Sequence, residues 1–391
     1  MLKRIEILDL KNIFNMYMWI WVIPQFYRNI VGASRILSLA FALPFLLLTI
    51  YYFFQVITRK RKLPFSLKIL LFFFFFLAFY GLLDLVGNTS YTFLMAITNA
   101  ILPIFVFYEF FCRGIVTEKM LRQWFWVLIV LVTITYFAHQ AMVLELMVRD
   151  MDASQVVNNI SYMLIGLFPF VFLFKKPYLQ IGIIIYLSYF TLTGLKRGAI
   201  VVLALLILWY MYSSLFVKKG STFKSLLFVG ILGVFIYYFI VNQMSTNDAL
   251  MHRWEITLGG DSSGRDDIYD RYWDHYLNNT SIFNQIFGGG AWVTEQIGHL
   301  KAHNEWLEII IDFGIVGCLI YLLFWFSYWK DLRHLKRDSL GYTIGISCVI
   351  LSLGRTPFSM WFYVIDLYVA IMIAYSLSPF NQSKCIISKQ G

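Results

Sequence analysis

An all-α integral membrane protein of about twelve transmembrane helices is the fold class the sequence predicts, on three observations. Of 391 residues, 60% are hydrophobic and only 14% charged, and mean hydropathy is +0.69. A soluble domain this apolar would lack the polar surface to cover its core. The apolar residues fall in runs near the length that crosses the hydrocarbon layer, about 20 residues each. The basic residues, finally, are spread unevenly. Residues 243–303 hold eight acids and four bases, whereas the rest of the chain holds 28 bases and 14 acids. That asymmetry fits the excess of Lys and Arg on the cytoplasmic side of a membrane protein, and it argues against a nucleic-acid partner despite the net charge of +10.

The helices follow in order from the apolar runs and the basic stretches between them. Segment 12–30 follows basic residues and contains Pro24 and several polar side chains, so it reads as a first spanning helix or an interfacial one. No small-residue cleavage site follows it, so it is not read as a removable signal peptide. Segment 36–57 ends at "RKRK" (59–62). Segment 67–86 starts there, and its "FFFFF" run (72–76) reads as lipid-facing bulk. Segment 92–112 ends at "CRGIVTEKMLR" (112–122), from which 124–140 departs. Segments 157–174 and 178–194 flank "KK" (175–176), and 198–217 and 225–242 flank "KKGSTFK" (218–224). After the polar stretch 243–303, segments 304–328 and 340–353 flank "KDLRHLKR" (330–337), and 358–378 comes last. With twelve crossings these basic stretches and both termini share one face, which is therefore expected to be cytoplasmic. Residues 243–303 become a long external loop of a single membrane domain spanning 1–391.

Cys112, Cys318, Cys348 and Cys385 lie in or beside predicted helices with no metal-binding spacing, so neither a disulfide framework nor a zinc site is expected.

Bases on the outer face run against the charge rule, and such residues usually have an acid or an anionic ligand as partner. Lys196 and Arg197 in "TGLKRGAI", Arg355 in "LGRTPF", and Arg253, Arg265, Arg271 and Lys301 in the loop are of this kind. Arg197 adjoins the start of a helix, where unpaired N–H groups and the helix dipole favour an anion such as phosphate. The bland alternative, a base solvated among headgroups, carries about equal weight at that position alone. Within "DSSGRDDIYDRYWDHYLNN" (261–279), Ile268, Tyr269, Tyr272, Trp273, Tyr276 and Leu277 recur at helical spacing. This predicts an amphipathic helix lying on the membrane surface or on the bundle, capped by Ser263, with Arg265 in its first turn. In "KAHNEWLEIIIDFGIVG" (301–317), His303 opens the next helix. Asn304 and Glu308 lie four residues apart on one face, and Gly314 and Gly317 are spaced for close helix packing.

Three of these pieces together resemble the O-antigen polymerase and O-antigen ligase superfamily of bacterial envelope glycan enzymes. "TGLKRGAI" is similar to its Arg-Gly segment at a helix start. "SGRDDIYDRYWDHY…IFGGG" is similar to its outer-loop segment, and "HNEWLEIIIDFGIVG" to its His-Asn…Leu-Glu…Gly…Gly helix start. Here Leu195 and Lys196 stand where a Ser commonly precedes the Arg. Either Lys196 or Arg197 could therefore meet the ligand, with Arg197 favoured. The resemblance implies a helical bundle of the GT-C-like kind. It implies a metal-independent, cofactor-free glycosyltransferase whose donor is a glycan on a polyprenyl diphosphate. Arg197 and Arg265 would hold the diphosphate, and His303 would serve the acceptor hydroxyl as base or hydrogen-bond partner. Lys196, Arg355, Asn304 and Glu308 would line the substrate. Its implied setting is the periplasmic face of a bacterial inner membrane, with membrane lipids, a chain-length regulator and a flippase as partners. A polymerase of repeat units is favoured over a ligase to lipid A core. From another class, a glycolipid transporter or flippase would instead show repeats and midplane charges. Asp366 is the main residue of that description.

Overall fold

The structure, a computed structural model, describes residues 12–24, 26, 35–58, 62–83, 90–149, 158–217, 230, 233–234, 237–238, 241–242, 265–298, 304–358 and 367–378. Among them every regular element is a helix. In chain order these are α1 (12–24), α2 (Arg35–Thr58), α3 (Phe65–Leu83), α4 (Ser90–Cys112) and α5 (Glu118–Arg149). Next come α6 (Ser161–Gly166), a 3-10 turn (Phe168–Leu173), α7 (Pro177–Thr193), and α8 (Arg197–Tyr212) ending in a π-turn (Ser213–Val217). The stretch between α8 and the next long helix supplies α9 (Arg265–Asn278), α10 (Ile282–Phe287) and α11 (Val293–Gly298). The chain closes with α12 (Glu305–Arg333), α13 (Leu340–Arg355), a 3-10 turn (Thr356–Phe358) and α14 (Leu367–Leu377).

Five of these helices, α3, α4, α5, α8 and α12, contain stretches long and apolar enough to cross a membrane by length and composition. Only helices satisfy their own backbone hydrogen bonds segment by segment in hydrocarbon, which is why the apolar runs fold this way. The protein is a multi-pass membrane protein with α4 near its centre. From Ala100 to Phe111 α4 is buried all round, against α2, α3 and α14. The perimeter is apolar too: Phe72, Phe75, Val130, Ile134, Leu205, Leu208, Leu319 and Leu323 all face outward.

The ends of the helices are tied by polar contacts that sort them. Arg113 donates to Gln55 Oε1 at 2.6 Å, joining the C-terminal ends of α2 and α4, and pairs with the buried Glu109. The Ser66 amide donates to Asp331 Oδ2 at 2.9 Å, so the end of α12 caps the start of α3. Trp209 Nε1 donates to the Thr343 carbonyl, and Tyr210 donates to Gln180. These bring the end of α8 beside the starts of α13 and α7. Arg122 donates to the Leu173 carbonyl, and Tyr375 donates to Glu118, adding the start of α5 and the end of α14. The described basic residues Lys62, Arg113, Lys119, Arg122, Lys175, Lys176, Lys330, Arg333, Lys336 and Arg337 all belong to this one end. The turn at Gly194–Arg197, the head of α12 and the end of α13 lie at the opposite end.

Several boundaries differ from the sequence reading. The predicted helix 157–174 is broken into α6 and a 3-10 turn, because Pro169 lacks an N–H and its ring disfavours a continuous α-helix. The "FFFFF" run is not simply lipid-facing. Phe72 and Phe75 point outward, but Phe73 is fully buried and stacks on Phe76. Helix α1 packs into the bundle. Phe14 and Tyr17 meet Phe107 and Phe110 of α4, Tyr17 shares a 2.7 Å hydrogen bond with Thr49, and Trp21 meets Tyr368. The predicted helix 225–242 lies mostly outside the described residues, as do 359–366 with Asp366.

Candidate functional site

At the end opposite the basic loops, the chain between α7 and α8 makes a tight turn. Leu195 is held at φ +55°, a left-handed conformation costing a branched side chain about 1 kcal/mol. Lys196 follows as the N-cap of α8 without any side-chain cap, and Arg197 is the first helical residue. The first amides of α8 therefore carry the helix's partial positive charge beside two cations. The next residue, Gly198, is buried against Tyr162. A methyl group there would overlap the Tyr162 hydroxyl and Phe358.

Tyr162, on α6, organises the cations. The Lys196 ammonium lies 5.7 Å from its ring centroid and the Arg355 guanidinium 4.9 Å, both in the range of a cation–π contact. Arg355, at the end of α13, is buried. The turn, α6 and α13 thus converge on one aromatic face. Beside Arg355 a groove of about 570 Å³ opens between α8 and α13, lined by Leu205, Leu208, Trp209, Tyr212, Val349, Ile350, Leu353 and Gly354.

Acidic residues meet this cluster from the head of α12. The helix starts at Glu305, and Asn304 is its N-cap, its Oδ1 accepting from the amides of Trp306 and Leu307 at 3.1 and 3.4 Å. Asn304 thus spends its carbonyl on the helix end. Glu305, Glu308 and Asp312 are all buried. Glu305 accepts a hydrogen bond from the Tyr321 hydroxyl and lies within electrostatic reach of Glu308 and Arg355. Asp312 Oδ1 accepts from the Thr294 amide at 3.0 Å, fixing the start of α11.

Helices α9, α10 and α11 lock onto the same helix. Tyr272 and Tyr276 of α9 pack against Leu307 and Ile311 of α12, and Tyr272 donates to the Thr294 carbonyl at 2.8 Å. Burial raises the Tyr276 phenol above its ordinary range, so it stays a neutral donor to the Gln285 carbonyl. Four of the six residues of the predicted stripe, Ile268, Tyr269, Tyr272 and Tyr276, are therefore bundle contacts, while Trp273 and Leu277 stay exposed. Beyond α10 the Gly-rich turn enters a break in α12. Gly314 has φ +67° and ψ −171°, which interrupts the helical hydrogen bonds. The amides of Gly289 and Gly290 then donate to the Ile311 and Asp312 carbonyls at 3.1 and 3.0 Å. The three buried carboxyl groups of this apolar helix all sit on its first part, ahead of the break at Gly314.

Of the residues singled out from sequence, the structure brings Lys196, Arg197, Arg355 and Glu308 to one end of the bundle. Arg265 is the first residue of α9, and His303 lies outside the described residues. Sequence reasoning missed Tyr162, Glu305, Asp312 and Tyr321. Asp312 carried a signal, since an acid inside an apolar helix usually has a specific partner. Tyr162 had none among 25 tyrosines. Among the described residues no group of three His, Cys, Asp or Glu side chains is arranged to hold a metal ion.

Residues 182–322 match the family model Wzy_C, described as O-Antigen ligase, which supports the O-antigen polymerase and ligase superfamily and agrees with the resemblance carried by the three motifs. The match spans most of α7, all of α8, the stretch between α8 and α12, and most of α12. Members of this family are glycosyltransferase-like enzymes. No curated protein matches the chain.

Proposed function

We propose, with the O-antigen ligase match over residues 182–322 as premise, that this protein transfers a glycan from a polyprenyl diphosphate to a sugar hydroxyl at the outer face of the bacterial inner membrane, as a polymerase of repeat units. The observation that carries the reading is the convergence of Lys196, Arg197 and Arg355 at the start of α8, at the end away from the basic loops. Fixed guanidinium groups and helix N–H groups suit a diphosphate, whose negative charge grows as it leaves. In the proposed step the acceptor hydroxyl oxygen bonds to the anomeric carbon while the bond to the diphosphate oxygen breaks, with inversion. His303, next to the α12 N-cap, takes the hydroxyl proton, and Arg197 and Arg265 hold the departing diphosphate. Lys196 and Arg355 add positive charge, and Glu308 and Asn304 shape the neighbouring wall. The apolar groove between α8 and α13 gives the lipid chain a path sideways into the bilayer.

The test is purified protein supplied with lipid-linked repeat units and no energy source. Long-chain product is expected, and its loss in Arg197→Ala, Arg265→Ala and His303→Ala at unchanged membrane levels. Unchanged product in all three variants would refute the assignment, and transport without any new glycosidic bond would favour the transporter reading. Deletion in cells separates the two transferases: single repeats left on the core mark a polymerase, and a bare core marks a ligase.

A further inference from the structure

Helix α10 (Ile282–Phe287) presents an apolar face that the bundle does not cover. Ile282 is 76% and Phe283 66% exposed, and Ile286 and Phe287 are exposed beside them. Gln285 turns inward, its Nε2 donating to the Tyr276 and Leu277 carbonyls at 2.9 and 3.3 Å, and Ser281 caps the helix by accepting from the Asn284 amide. A six-residue loop helix facing water with four large apolar side chains calls for a partner.

Two structural rulers say what covers it. The Tyr80 hydroxyl donates to the Phe287 carbonyl, tying α10 to α3. Tyr80 lies three residues before the end of α3 at Leu83, about 5 Å along the axis. The outward neighbours on α3 there, Phe79, Leu82 and Leu83, are exposed and apolar, so α10 extends a belt that faces lipid. Independently, the turn after α10 bonds to α12 at its break. From Gly314 to Arg333 the remainder of α12 is about 30 Å long, one hydrocarbon thickness. Both rulers put α10 at the outer edge of the hydrocarbon layer. The acids of α9, Asp266, Asp267, Asp270 and Asp274, are exposed, as suits a helix on the water side of that edge.

We infer that α10 is an interfacial anchor whose Ile282, Phe283, Ile286 and Phe287 face is seated in the outer leaflet. Its partner is the lipid surface itself. The anchor holds the Gly288–Gly290 turn in the break of α12 and thereby fixes the helix head that carries Glu305 and Glu308. This inference stands on geometry alone and does not depend on the proposed reaction.

The test uses the full chain in native membranes with p-benzoylphenylalanine in place of Phe283. Irradiation is expected to yield a phospholipid adduct detectable by mass spectrometry. The same probe in place of Phe79 serves as the lipid-facing control, and in place of Asp274 as the water-facing one. Adducts at 79 but none at 283, or an adduct at 283 to another protein chain, would overturn the anchor. As a second readout, Phe283→Asp is expected to speed amide exchange at Gly289 and Gly290 at least tenfold, with Phe283→Trp restoring slow exchange. Unchanged exchange in Phe283→Asp would equally count against it.

Discussion

The contact between the Gly-rich turn and the break in α12 is a reciprocal fit of two backbones, and substituting Gly288 by Ala should undo it. Gly288 has φ +90° and ψ 163°, a region that residues with a Cβ essentially do not occupy, and forcing one there costs about 1–3 kcal/mol. The added methyl would also overlap the Asp312 carbonyl oxygen and Phe313 Cα, which are backbone atoms and cannot rotate away. Relief requires the turn to lift, which breaks the bonds from Gly289 to Ile311 and from Gly290 to Asp312, about 1 kcal/mol each. The turn should thus lose about 3–5 kcal/mol of docking free energy, or about two to four decades in the docked-to-undocked ratio. Hydrogen exchange of the full chain in detergent or nanodiscs reads this directly, as lost protection at Gly289, Gly290 and Thr294. Gly314→Ala should do the same, since its methyl would overlap the Ile286 carbonyl and the Gly288 amide. Once the turn has lifted, the second substitution has little left to break, so the double variant should fall well short of the sum. Gly182→Ala, where nothing lies within 4 Å of the added Cβ, should leave protection unchanged. Native protection in Gly288→Ala, or strict additivity in the double variant, would refute the interlock.

Gly198→Ala should displace Tyr162 from beneath Lys196 and Arg355 and lower glycan product at least tenfold at normal protein levels, measured in the reconstituted assay. Tyr321→Phe removes the hydroxyl that donates to buried Glu305. It should destabilise the head of α12 by about 1–3 kcal/mol, read as faster exchange over residues 305–309 with residues 320–330 unaffected. Asp331→Ala uncaps α3 from across the bundle and should cost about 1 kcal/mol, seen as fraying of residues 65–68, with no loss of transferase activity because it lies at the opposite end from the site.

The charge pattern around the helices was legible before any coordinates. "KDLRHLKR" and "KK" end up together because each had to stay out of hydrocarbon, a constraint that acts on every residue locally. The three-motif resemblance was legible for the same reason: each motif is local in the chain, and two of them mark a helix start. Less legible was the capping role of Asn304, whose oxygen closes the start of α12. A helix N-cap competes for the same side chains that bind ligands, and spacing alone does not separate the two. The 157–174 segment was misread because hydrophobicity reports burial in a membrane, not helix continuity, and Pro169 decided the latter.

The sequence by itself determined that the chain is a helical membrane protein with bases crowded between its helices, because transfer into lipid is a sum over residues and needs no knowledge of neighbours. Tertiary structure alone decided that Arg355 shares the ring of Tyr162 with Lys196, that buried Glu305 lies within electrostatic reach of Arg355, and that the glycines of the loop close the gap opened by Gly314. Those facts depend on which distant helices touch, and in lipid that choice rests on close packing and a few polar bonds that no single segment carries.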